Sequence, residues 1–351
     1  MKKVKVGIIG LGRSGNNIHA AALLKMTDKF QIVAVADKQF ADRAAELKKK
    51  TGCATYTDVN DLINDKNVEY VVNATPSFLH KELTIKALEA GKFVTVEKPI
   101  AGNVKDADEM IAAAKKLGKN FSVFQNYRWE AEVGKLKNIM DSGKIGEVYM
   151  IRKHSGMYQR RDDWQAMKKF GGGTTNNTLV HAIDQSLFMT GFDVKRTASL
   201  AMKLVTSGDA EDFCKILIVG NKISIDLEIT AASAYSFPRW VIFGKYGTIM
   251  SEDAGNDIAI KIKYLDPSKL RTLTRAEDIK PASDGTYPKD VIEWKEETIP
   301  PFANDWGKVS HVLYHEAAYE WMVNNGPVPV KPEETRMILD IIERSKKENG
   351  F

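Results

Sequence analysis

The chain begins with a short apolar run that leads directly into a glycine-rich turn. Val4–Ile9 is followed by Gly10, Gly12 and Gly15 in the spacing G-x-G-x-x-G, and a helical pattern comes next. In such a turn the first glycine permits the tight bend, the second lets the backbone approach a pyrophosphate, and the third allows close packing of helix on strand. The beginning of the chain is therefore restricted to a strand–turn–helix unit that can bind a dinucleotide.

Short apolar runs and helical patterns alternate through the first third of the chain. Nearly continuous apolar strands separated by helices are typical of a parallel sheet that is covered on both faces. The sequence therefore predicts a doubly wound α/β domain of the Rossmann type. The predicted strands are Val4–Ile9, Gln31–Ala36, Tyr70–Ala74, Phe93–Val96 and Phe121–Phe124, and the predicted helices are Ala41–Thr51, Lys81–Ala90 and Ala107–Leu117.

After about Gly146 the pattern changes to longer runs in which apolar and polar residues alternate. Alternation with period two predicts strands with one buried face, as in an antiparallel sheet. Helices are expected at Asn176–Met189, Val309–Asn324 and Pro332–Lys347, and the last of these is expected to pack back on the first domain. The predicted strands are Val148–Tyr158, Ala198–Thr206, Phe213–Val219, Ile223–Ile229, Trp240–Phe243 and Ile258–Leu265.

Composition excludes several classes of function. The 351 residues are too many for one typical core and suit two domains. The 51 basic residues nearly balance the 46 acidic ones and form no long basic run, so nucleic-acid and membrane-surface binding are not expected. Cys53 and Cys214 predict no disulfide framework, and no apolar segment approaches membrane-spanning length. A cytoplasmic location is the expectation.

Further residues near the turn indicate how a dinucleotide would bind. Asp37 ends the second predicted strand, roughly 20 residues after the turn, where an acid accepts hydrogen bonds from ribose hydroxyls and repels a 2′-phosphate. NAD is therefore favoured over NADP, although the neighbouring Lys38 could pair with a phosphate. Thr75 and Pro76 follow a later strand at the carboxyl edge, where ligands bind in such sheets. His80 either caps the following helix or touches the cofactor.

A lysine follows the predicted strand Phe93–Val96 at the same edge. Pro99 restricts Lys98 to extended geometry, which would direct the ammonium outward in a reproducible way. An ammonium there could hydrogen-bond a substrate hydroxyl and stabilise the alkoxide that develops as hydride leaves. Taken alone, the tripeptide Glu-Lys-Pro would also fit a surface turn.

A second candidate for chemistry lies in the helical pattern that follows the three glycines at 171–173. Asn177, His181 and Asp184 are spaced by four and three residues and form one polar stripe. Such a stripe with an imidazole could line a cleft and carry a proton. It would also suit a helix that simply faces solvent.

Together these motifs resemble the glucose–fructose oxidoreductase/inositol dehydrogenase/rhizopine catabolism family, written Gfo/Idh/MocA. The resemblance extends over essentially the whole chain. Besides the glycine turn, it is carried by residues 75–100, 124–149, 171–185 and 326–345.

The resemblance implies a Rossmann domain at 1–124, an open-faced α/β domain for substrate and oligomerisation at 125–330, and a C-terminal helix at 331–351. It also implies NAD(P)-dependent oxidation or reduction of a small sugar, cyclitol or related polyol. A homodimer or homotetramer joined through the second sheet is expected on the same ground.

Carried over by position, the resemblance makes Lys98 the lysine of the family's Glu-Lys-Pro motif and His181 its proton-carrying histidine. The family's aspartate four residues before this histidine is Asn177 here, and its glycine two residues before is Leu179. The replacement of the aspartate by Asn177 removes a negative charge that would raise the pKa of His181. An amide both donates and accepts hydrogen bonds, so Asn177 also suits recognition of a sugar hydroxyl. The replacement of the glycine by Leu179 would narrow the pocket or shift the helix. The residues assigned to the cofactor are Gly10, Gly12, Arg13, Ser14, Gly15, Asp37, Lys38, Thr75, Pro76, His80, Glu97, Lys98 and Asn126.

The substrate pocket is predicted around the same lysine and histidine. Arginines and an aromatic face would be ordinary carbohydrate recognition, although the same side chains also suit a surface. The predicted substrate-binding residues are Lys98, Arg128, Arg161, Trp164, Asn177 and His181. No metal is predicted, although His311 and His315 have the spacing of a helical ligand pair.

The sequence thus predicts an NAD-dependent oxidoreductase that acts on a secondary hydroxyl, or the corresponding ketone, of a sugar, glycoside or cyclitol. A pyranoside is favoured over free inositol. Lys98, His181 and Asn177 are the predicted catalytic residues. Two alternatives remain open: a glycosidase of the same family that uses transient oxidation by bound NAD, and a binding or regulatory protein without turnover.

Overall fold

The computed structural model describes residues 2–280, 289–303 and 308–351. Within these ranges the first sheet consists of β1 (Val4–Ile9), β2 (Phe30–Ala36), β3 (Ala54–Tyr56), β4 (Tyr70–Asn73), β5 (Phe93–Val96) and β6 (Ser122–Val123). All of its pairs are parallel, and the strand order is β3-β2-β1-β4-β5-β6. The order reverses at β1, so a crevice opens between the carboxyl ends of β1 and β4. The predicted Rossmann fold is confirmed.

Helices connect these strands and cover both faces of the sheet. Asp58 and Asn103 begin two of them by accepting hydrogen bonds from the amides of Asn60 and Asp106. The helical segments are a π-helical segment (Arg13–Ala20) that continues as α1 (Ala21–Leu23), then α2 (Ala41–Thr51), α3 (Val59–Asn64), α4 (His80–Glu89) and α5 (Val104–Lys116).

The second sheet contains, among the described residues, β7 (Val148–Gly156), β8 (Arg196–Met202), β9 (Phe213–Val219), β10 (Ser224–Thr230), β11 (Trp240–Gly244), β12 (Gly247–Ala254), β13 (Asp257–Leu265) and β14 (Trp294–Ala303). Its order is β14-β13-β12-β11-β7-β10-β9-β8. Only β7 and β10 pair in parallel within this part of the chain, and the other pairs are antiparallel. The prediction of a mostly antiparallel second sheet is confirmed.

Helices cover one face of the second sheet and connect it to the first domain. α6 (Ala131–Asp141) and α7 (Val180–Thr190) pack against the second sheet, whereas α8 (Lys308–Asn324) packs against the core of the first domain. α9 (Pro332–Glu348) follows. The last helix contacts α5 of the Rossmann domain as well as α7 and β8. Glu343 accepts a hydrogen bond from the Val104 amide at 2.7 Å, and Arg336 pairs with Asp108 at 2.8 Å. The C-terminal helix therefore connects the two sheets.

The opposite face of the second sheet carries side chains that alternate with the buried ones. Tyr149, Leu200 and Met202 are exposed there. An exposed apolar face of this kind suits an oligomer contact, and the homodimer or homotetramer stays a prediction. None of the helices in the described part of the chain combines the length and apolar character that crossing a bilayer requires.

Three strands and two helices, α3 and α6, were not predicted from the sequence. β3 has three residues, too few for a clear period. β14 is an edge strand whose residues are nearly all exposed, so it lacks an apolar alternation. β12 begins at a glycine and ends in polar residues, and α3 is only six residues long. Each is held by its neighbours in the fold more than by its own pattern.

Candidate active site

The glycine turn lies against the end of β4 and leaves open space on its other side. A Cβ atom at Gly10 would lie 2.6 Å from the Ala74 carbonyl oxygen, and one at Gly15 would lie 1.8 Å from the Gly10 oxygen. Gly10 has a φ of +85°, which glycine adopts without steric penalty. A Cβ at Gly12 would meet nothing within 4 Å. The turn is therefore open where the π-helical segment begins, and a pyrophosphate could approach backbone amides there.

Asp37 lies at the end of β2, and both of its carboxylate oxygens accept backbone hydrogen bonds. One oxygen accepts from Leu11 at 2.6 Å, and the other accepts from Gln39 at 2.7 Å and Phe40 at 3.1 Å. The carboxylate is thus held beside the glycine turn, where the ribose of a dinucleotide would lie.

Cationic residues occur in the segments that adjoin Asp37. Lys38 and Arg13 are exposed. Arg43, which the sequence interpretation missed, donates from Nη1 to the Leu11 carbonyl at 2.7 Å and lies 4.4 Å from the centre of the Phe40 ring. Its place in the first turn of α2, soon after the strand-ending acid, was the available signal.

His80 joins two loops at the carboxyl edge of the sheet. Its Nδ1 lies 2.9 Å from the Pro99 carbonyl oxygen and its Nε2 lies 2.8 Å from the Thr75 oxygen. The side chain is fully buried, which lowers its pKa. Both ring nitrogens are engaged by backbone carbonyls, and the assignment of His80 to cofactor binding stays a prediction. Thr75 donates from Oγ1 to Asn73 at 2.7 Å, and Pro76 is exposed beside it.

Glu97 ends a buried polar chain that starts behind the glycine turn. His19 Nε2 lies 3.3 Å from Glu97 Oε1, and His19 Nδ1 lies 3.1 Å from His315 Nε2. Burial alone would raise the pKa of Glu97, but His19, Lys98 and a hydrogen bond from Ser14 hold it below its usual value. The other oxygen, Oε2, accepts from the Lys98 amide at 3.0 Å. Glu97 and Ser14 thus tie the glycine turn to Lys98.

Asn126 is engaged by another part of the chain. Its side chain is buried and donates to Ser310 Oγ in α8 at 3.1 Å. Its amide therefore joins two elements of the protein, and the assignment of Asn126 to the cofactor stays a prediction. The next residue, Tyr127, takes part in the site and was not singled out from the sequence.

Lys98 brings the Rossmann edge into contact with the second domain. Its Nζ donates to the Asn177 carbonyl oxygen at 3.3 Å. Burial lowers the pKa of Lys98, while nearby Glu97 opposes this shift and Arg13 adds to it. The Lys98–Pro99 peptide bond is cis. Lys98 and residue 177, predicted separately from distant parts of the chain, therefore meet in the structure.

His181 lies in the first turn of α7, close to this contact. Its ring stacks on Tyr127 with centroids 4.2 Å apart and planes inclined by 25°. Its Nδ1 is buried without a hydrogen-bond partner among the described residues. Burial lowers the pKa of His181 well below its usual value, and the charges of Lys98, Lys153 and His311 lower it further. The imidazole is thus neutral at neutral pH and able to accept a proton.

The segment before His181 is π-helical from Thr175 to Leu179. Asn177 donates from Nδ2 to the Gln165 carbonyl at 3.4 Å. Glu211 accepts from the Thr175 amide at 3.1 Å, and a Cβ at Gly173 would lie 2.3 Å from its carboxylate. Local π-helical turns occur often at functional sites.

Leu179 is fully buried in the apolar cluster between α7, α9 and the second sheet. The expectation that Leu179 narrows the pocket is therefore wrong. Its side chain belongs to the core because its position in the helix faces the sheet.

Arg128 and Asp184 form a buried ion pair. Arg128 donates to the two Asp184 oxygens at 2.7 to 3.1 Å, and its Nη1 donates to Glu334 at 2.6 Å. Two predictions are corrected here, Arg128 as a substrate ligand and Asp184 as a member of the cleft stripe. The physical reason is burial, because each charge needs a fixed partner once it leaves water.

The loop between β7 and α7 contains the remaining predicted pocket residues. Arg161 is partly exposed and pairs with Asp163 at 2.9 Å. Trp164 is 58% exposed. Only the next residue, Gln165, contacts the site, through its bond to Asn177. The structure thus places Arg161 and Trp164 on the outer side of the loop, without a contact to Lys98 or His181.

His311 and His315 both lie in α8, one turn apart. His315 is fully buried against His19, and burial lowers its pKa well below the usual value. No group of three or more possible ligands is arranged to hold a metal ion among residues 2–280, 289–303 and 308–351.

Comparison with known families agrees with this architecture. Residues 4–125 match the model of an oxidoreductase family with an NAD-binding Rossmann fold, named GFO_IDH_MocA. Residues 133–250 match the model of the GFO/IDH/MocA C-terminal domain.

Curated relatives include enzymes of inositol metabolism. The chain is 27% identical to scyllo-inositol 2-dehydrogenase (NADP(+)) IolW of Bacillus subtilis, over 97% of this chain and 92% of that protein. It is 29% identical to myo-inositol 2-dehydrogenase of Thermotoga maritima, over 71% of this chain and 75% of the relative. It is also 28% identical to the uncharacterized oxidoreductase YdgJ of Escherichia coli, over 97% of this chain and 94% of that protein.

Solved structures share the fold over nearly the whole length. An oxidoreductase from Bacillus cereus superposes with a TM-score of 0.78 at 22% identity, covering 98% of this chain and 95% of that one. An NAD-binding protein from Listeria innocua gives a TM-score of 0.75 at 24% identity, covering 99% and 96%. With both domain models matched in order, the chain belongs to the Gfo/Idh/MocA family of NAD(P)-binding oxidoreductases.

Proposed function

We propose that the protein is an NAD-dependent dehydrogenase that oxidises a secondary hydroxyl of a sugar, glycoside or cyclitol, or reduces the corresponding ketone. The contact of the Lys98 ammonium with the Asn177 carbonyl at 3.3 Å is the observation that carries this proposal. It brings a cation from the cofactor domain to the helix that holds a neutral, buried imidazole at His181. Hydride transfer from a carbinol requires both groups near one carbon.

Lys98, His181 and Asn177 each have a separate role in the proposed reaction. Lys98 donates a hydrogen bond to the substrate oxygen and stabilises the alkoxide as the C–H bond breaks. His181 accepts the hydroxyl proton, and the stack on Tyr127 holds the orientation of its ring. Asn177 offers an amide for a second substrate hydroxyl. The bound dinucleotide supplies the nicotinamide ring that takes the hydride.

The glycine turn and the end of β2 fit the dinucleotide. The open side of Gly12 admits a pyrophosphate, and the π-helical segment presents amides to it. Asp37 would exchange its backbone partners for ribose hydroxyls. A panel of sugars, glycosides, inositols and polyols, screened for NADH formation at 340 nm, tests the proposal. Ketone reduction with NADH tests the reverse direction, and absence of turnover in both would reject it.

Replacing Asp37 with alanine is expected to narrow the preference for NAD over NADP. Asp37 repels a 2′-phosphate, whereas Arg43 and Lys38 remain near the same place as phosphate partners. Calorimetric titration of both dinucleotides gives the two affinities. An Asp42→Ala variant, which changes an acid on the neighbouring helix, is the matched control. Tighter binding of NADP by the unaltered protein would mean that Arg43 and Lys38 determine the choice.

Replacing Asn177 with aspartate is expected to move the acidic limb of the oxidation profile to higher pH. A carboxylate there would favour the imidazolium and raise the pKa of His181, which burial now lowers. Oxidation requires neutral His181, so the variant would lose activity at a pH where the original protein still works. The pH dependence of kcat/KM measures the shift. An unchanged profile would mean that side chain 177 remains turned towards Gln165.

A further inference from the structure

Lys153 lies on the helix-covered face of the second sheet. It is in β7 directly opposite Trp240 of β11, and opposite residues in an antiparallel pair share a face. Trp240 and Ile151 are buried in the cluster that packs on α6. Lys153 itself stays half-buried, with its Nζ 3.9 Å from the centre of the Trp240 ring. A cation over an indole face is stabilised by the ring.

The acids near Lys153 are committed to other groups. Glu132 accepts a bidentate pair from Arg239 at 2.9 to 3.1 Å and also a bond from Ser251. Glu130 accepts from the Gln185 amide at 2.9 Å. Among the described residues the Lys153 ammonium forms no ion pair with a carboxylate. It contacts the Trp240 ring, and the charges of Glu132, Glu130 and Asp253 favour the ammonium from longer range while burial opposes it.

This ammonium borders the proposed reaction site. Gln185, which bonds Glu130, also donates to the Tyr127 carbonyl at 3.0 Å, and Tyr127 stacks on His181. The charges of Lys98 and Lys153 both lower the pKa of His181, after the larger effect of burial. The charges of two ammonium groups, one from each domain, therefore both oppose the imidazolium that forms on proton transfer.

A bound anion would offset the charges of Lys98 and Lys153 and so favour the imidazolium of His181. A carboxylate on the substrate could accept a hydrogen bond from Lys153 and offset its charge while His181 takes the proton. A phosphate dianion would need more donors than one half-buried ammonium provides. Resting on the proposed dehydrogenase activity, we propose that Lys153 binds a carboxylate of the substrate, so that the enzyme prefers acidic sugars, aldonates or uronates, to neutral polyols.

The proposal predicts a pH dependence for binding. Burial lowers the pKa of Lys153 to about 8, with Glu132 opposing this shift. The other charged or titratable groups around it are Arg239, Glu130, Asp253 and His181. Since the ammonium is lost as the pH rises through this value, KM for an acidic substrate is expected to rise above about pH 8. The rise should be absent in Lys153→Met.

Matched substrates test the proposal directly. D-Gluconate and D-glucitol differ at one terminal carbon, as do D-galacturonate and D-galactose. The unaltered protein is expected to oxidise the acid of each pair with a kcat/KM about tenfold or more above that of its neutral partner. Lys153→Met is expected to lose about ten- to a hundredfold for the acids. For the neutral compounds only the pH profile should move, because the pKa of His181 rises when the charge of Lys153 is removed. Lys263→Met, an exposed lysine of β13, is the control and should change neither.

A binding measurement separates this proposal from the proposed activity. The NADH-bound protein is titrated calorimetrically with D-gluconate, D-glucitol and D-glucose 6-phosphate. Gluconate binding that is lost in Lys153→Met supports the carboxylate site even if no oxidation is observed, in which case only the activity fails. Equal affinity for gluconate and glucitol, no binding of gluconate, or an equal loss for both in the variant overturns the proposal. A preference for the phosphate ester overturns the choice of carboxylate.

Discussion

Replacing His181 with glutamine is expected to lower kcat for hydroxyl oxidation by about a hundredfold to ten-thousandfold, the usual contribution of a positioned general base. Glutamine retains a polar side chain but cannot accept the hydroxyl proton. The ring lies on Tyr127 and its pKa is held low, so the neutral base is ready at neutral pH. Stopped-flow measurement of NADH formation reports the chemical step without product release.

Lys98→Met is expected to lower kcat for hydroxyl oxidation by a similar factor, because it removes a charge near the substrate oxygen. The variant keeps the length of the side chain but removes the charge that stabilises the alkoxide. Both variants should retain affinity for NAD, because Asp37 and the glycine turn hold the dinucleotide. His154→Gln, a histidine beside Glu228 on the other face of the second sheet, serves as control. If either variant oxidised the substrate at the original rate, the assigned role of that residue would be wrong.

Replacing Arg128 with methionine is expected to lower the free energy of unfolding by about 3–5 kcal/mol, the range measured when one partner of a buried ion pair is removed. The change would leave the buried Asp184 carboxylate and the nearby Glu334 without their cation. Because Glu334 is in α9 and Asp184 in α7, this network connects helices across the domain junction. Urea-induced unfolding followed by fluorescence measures the loss.

Arg336→Met is the matched control for this experiment. Arg336 pairs with Asp108 near the surface, at 2.8 Å, and exposed pairs contribute about 1 kcal/mol or less. A substrate-binding role for Arg128, which was the interpretation from sequence, would instead raise KM and leave stability unchanged. That outcome would restore the original assignment.

The architecture was largely predictable because burial on two faces leaves a clear pattern. Strands β1, β2, β4 and β5 are continuous apolar runs, and their order follows from the glycine turn that begins a doubly wound sheet. β14 was not predicted because its residues are nearly all exposed and leave no apolar pattern. This edge strand is held by its pairing with β13. The pairing that places it is a property of the sheet and not of the segment.

Individual residues of the candidate site were singled out by motif, but the contacts among them could not be predicted from the sequence. Lys98 and His181 were identified by motif, and the structure adds the contact with Asn177. Arg128 and Asp184 could not be recognised as partners, because they are far apart in sequence and each alone resembles a pocket residue. Their roles depend on which charged groups become buried next to each other when the chain folds.

The sequence by itself determined the two-domain plan, the dinucleotide turn and the identity of the proposed proton and alkoxide partners, since each rests on local spacing. Only the tertiary structure decided which polar residues stabilise the fold through hydrogen bonds and ion pairs within the protein. The side chains of His80, Asn126 and Arg128 are engaged by partners that the sequence did not reveal, and the proposed role of Lys153 depends on the face of its strand. Burial sets this division, because a buried polar group must be paired and the pairing is known only once the chain is folded.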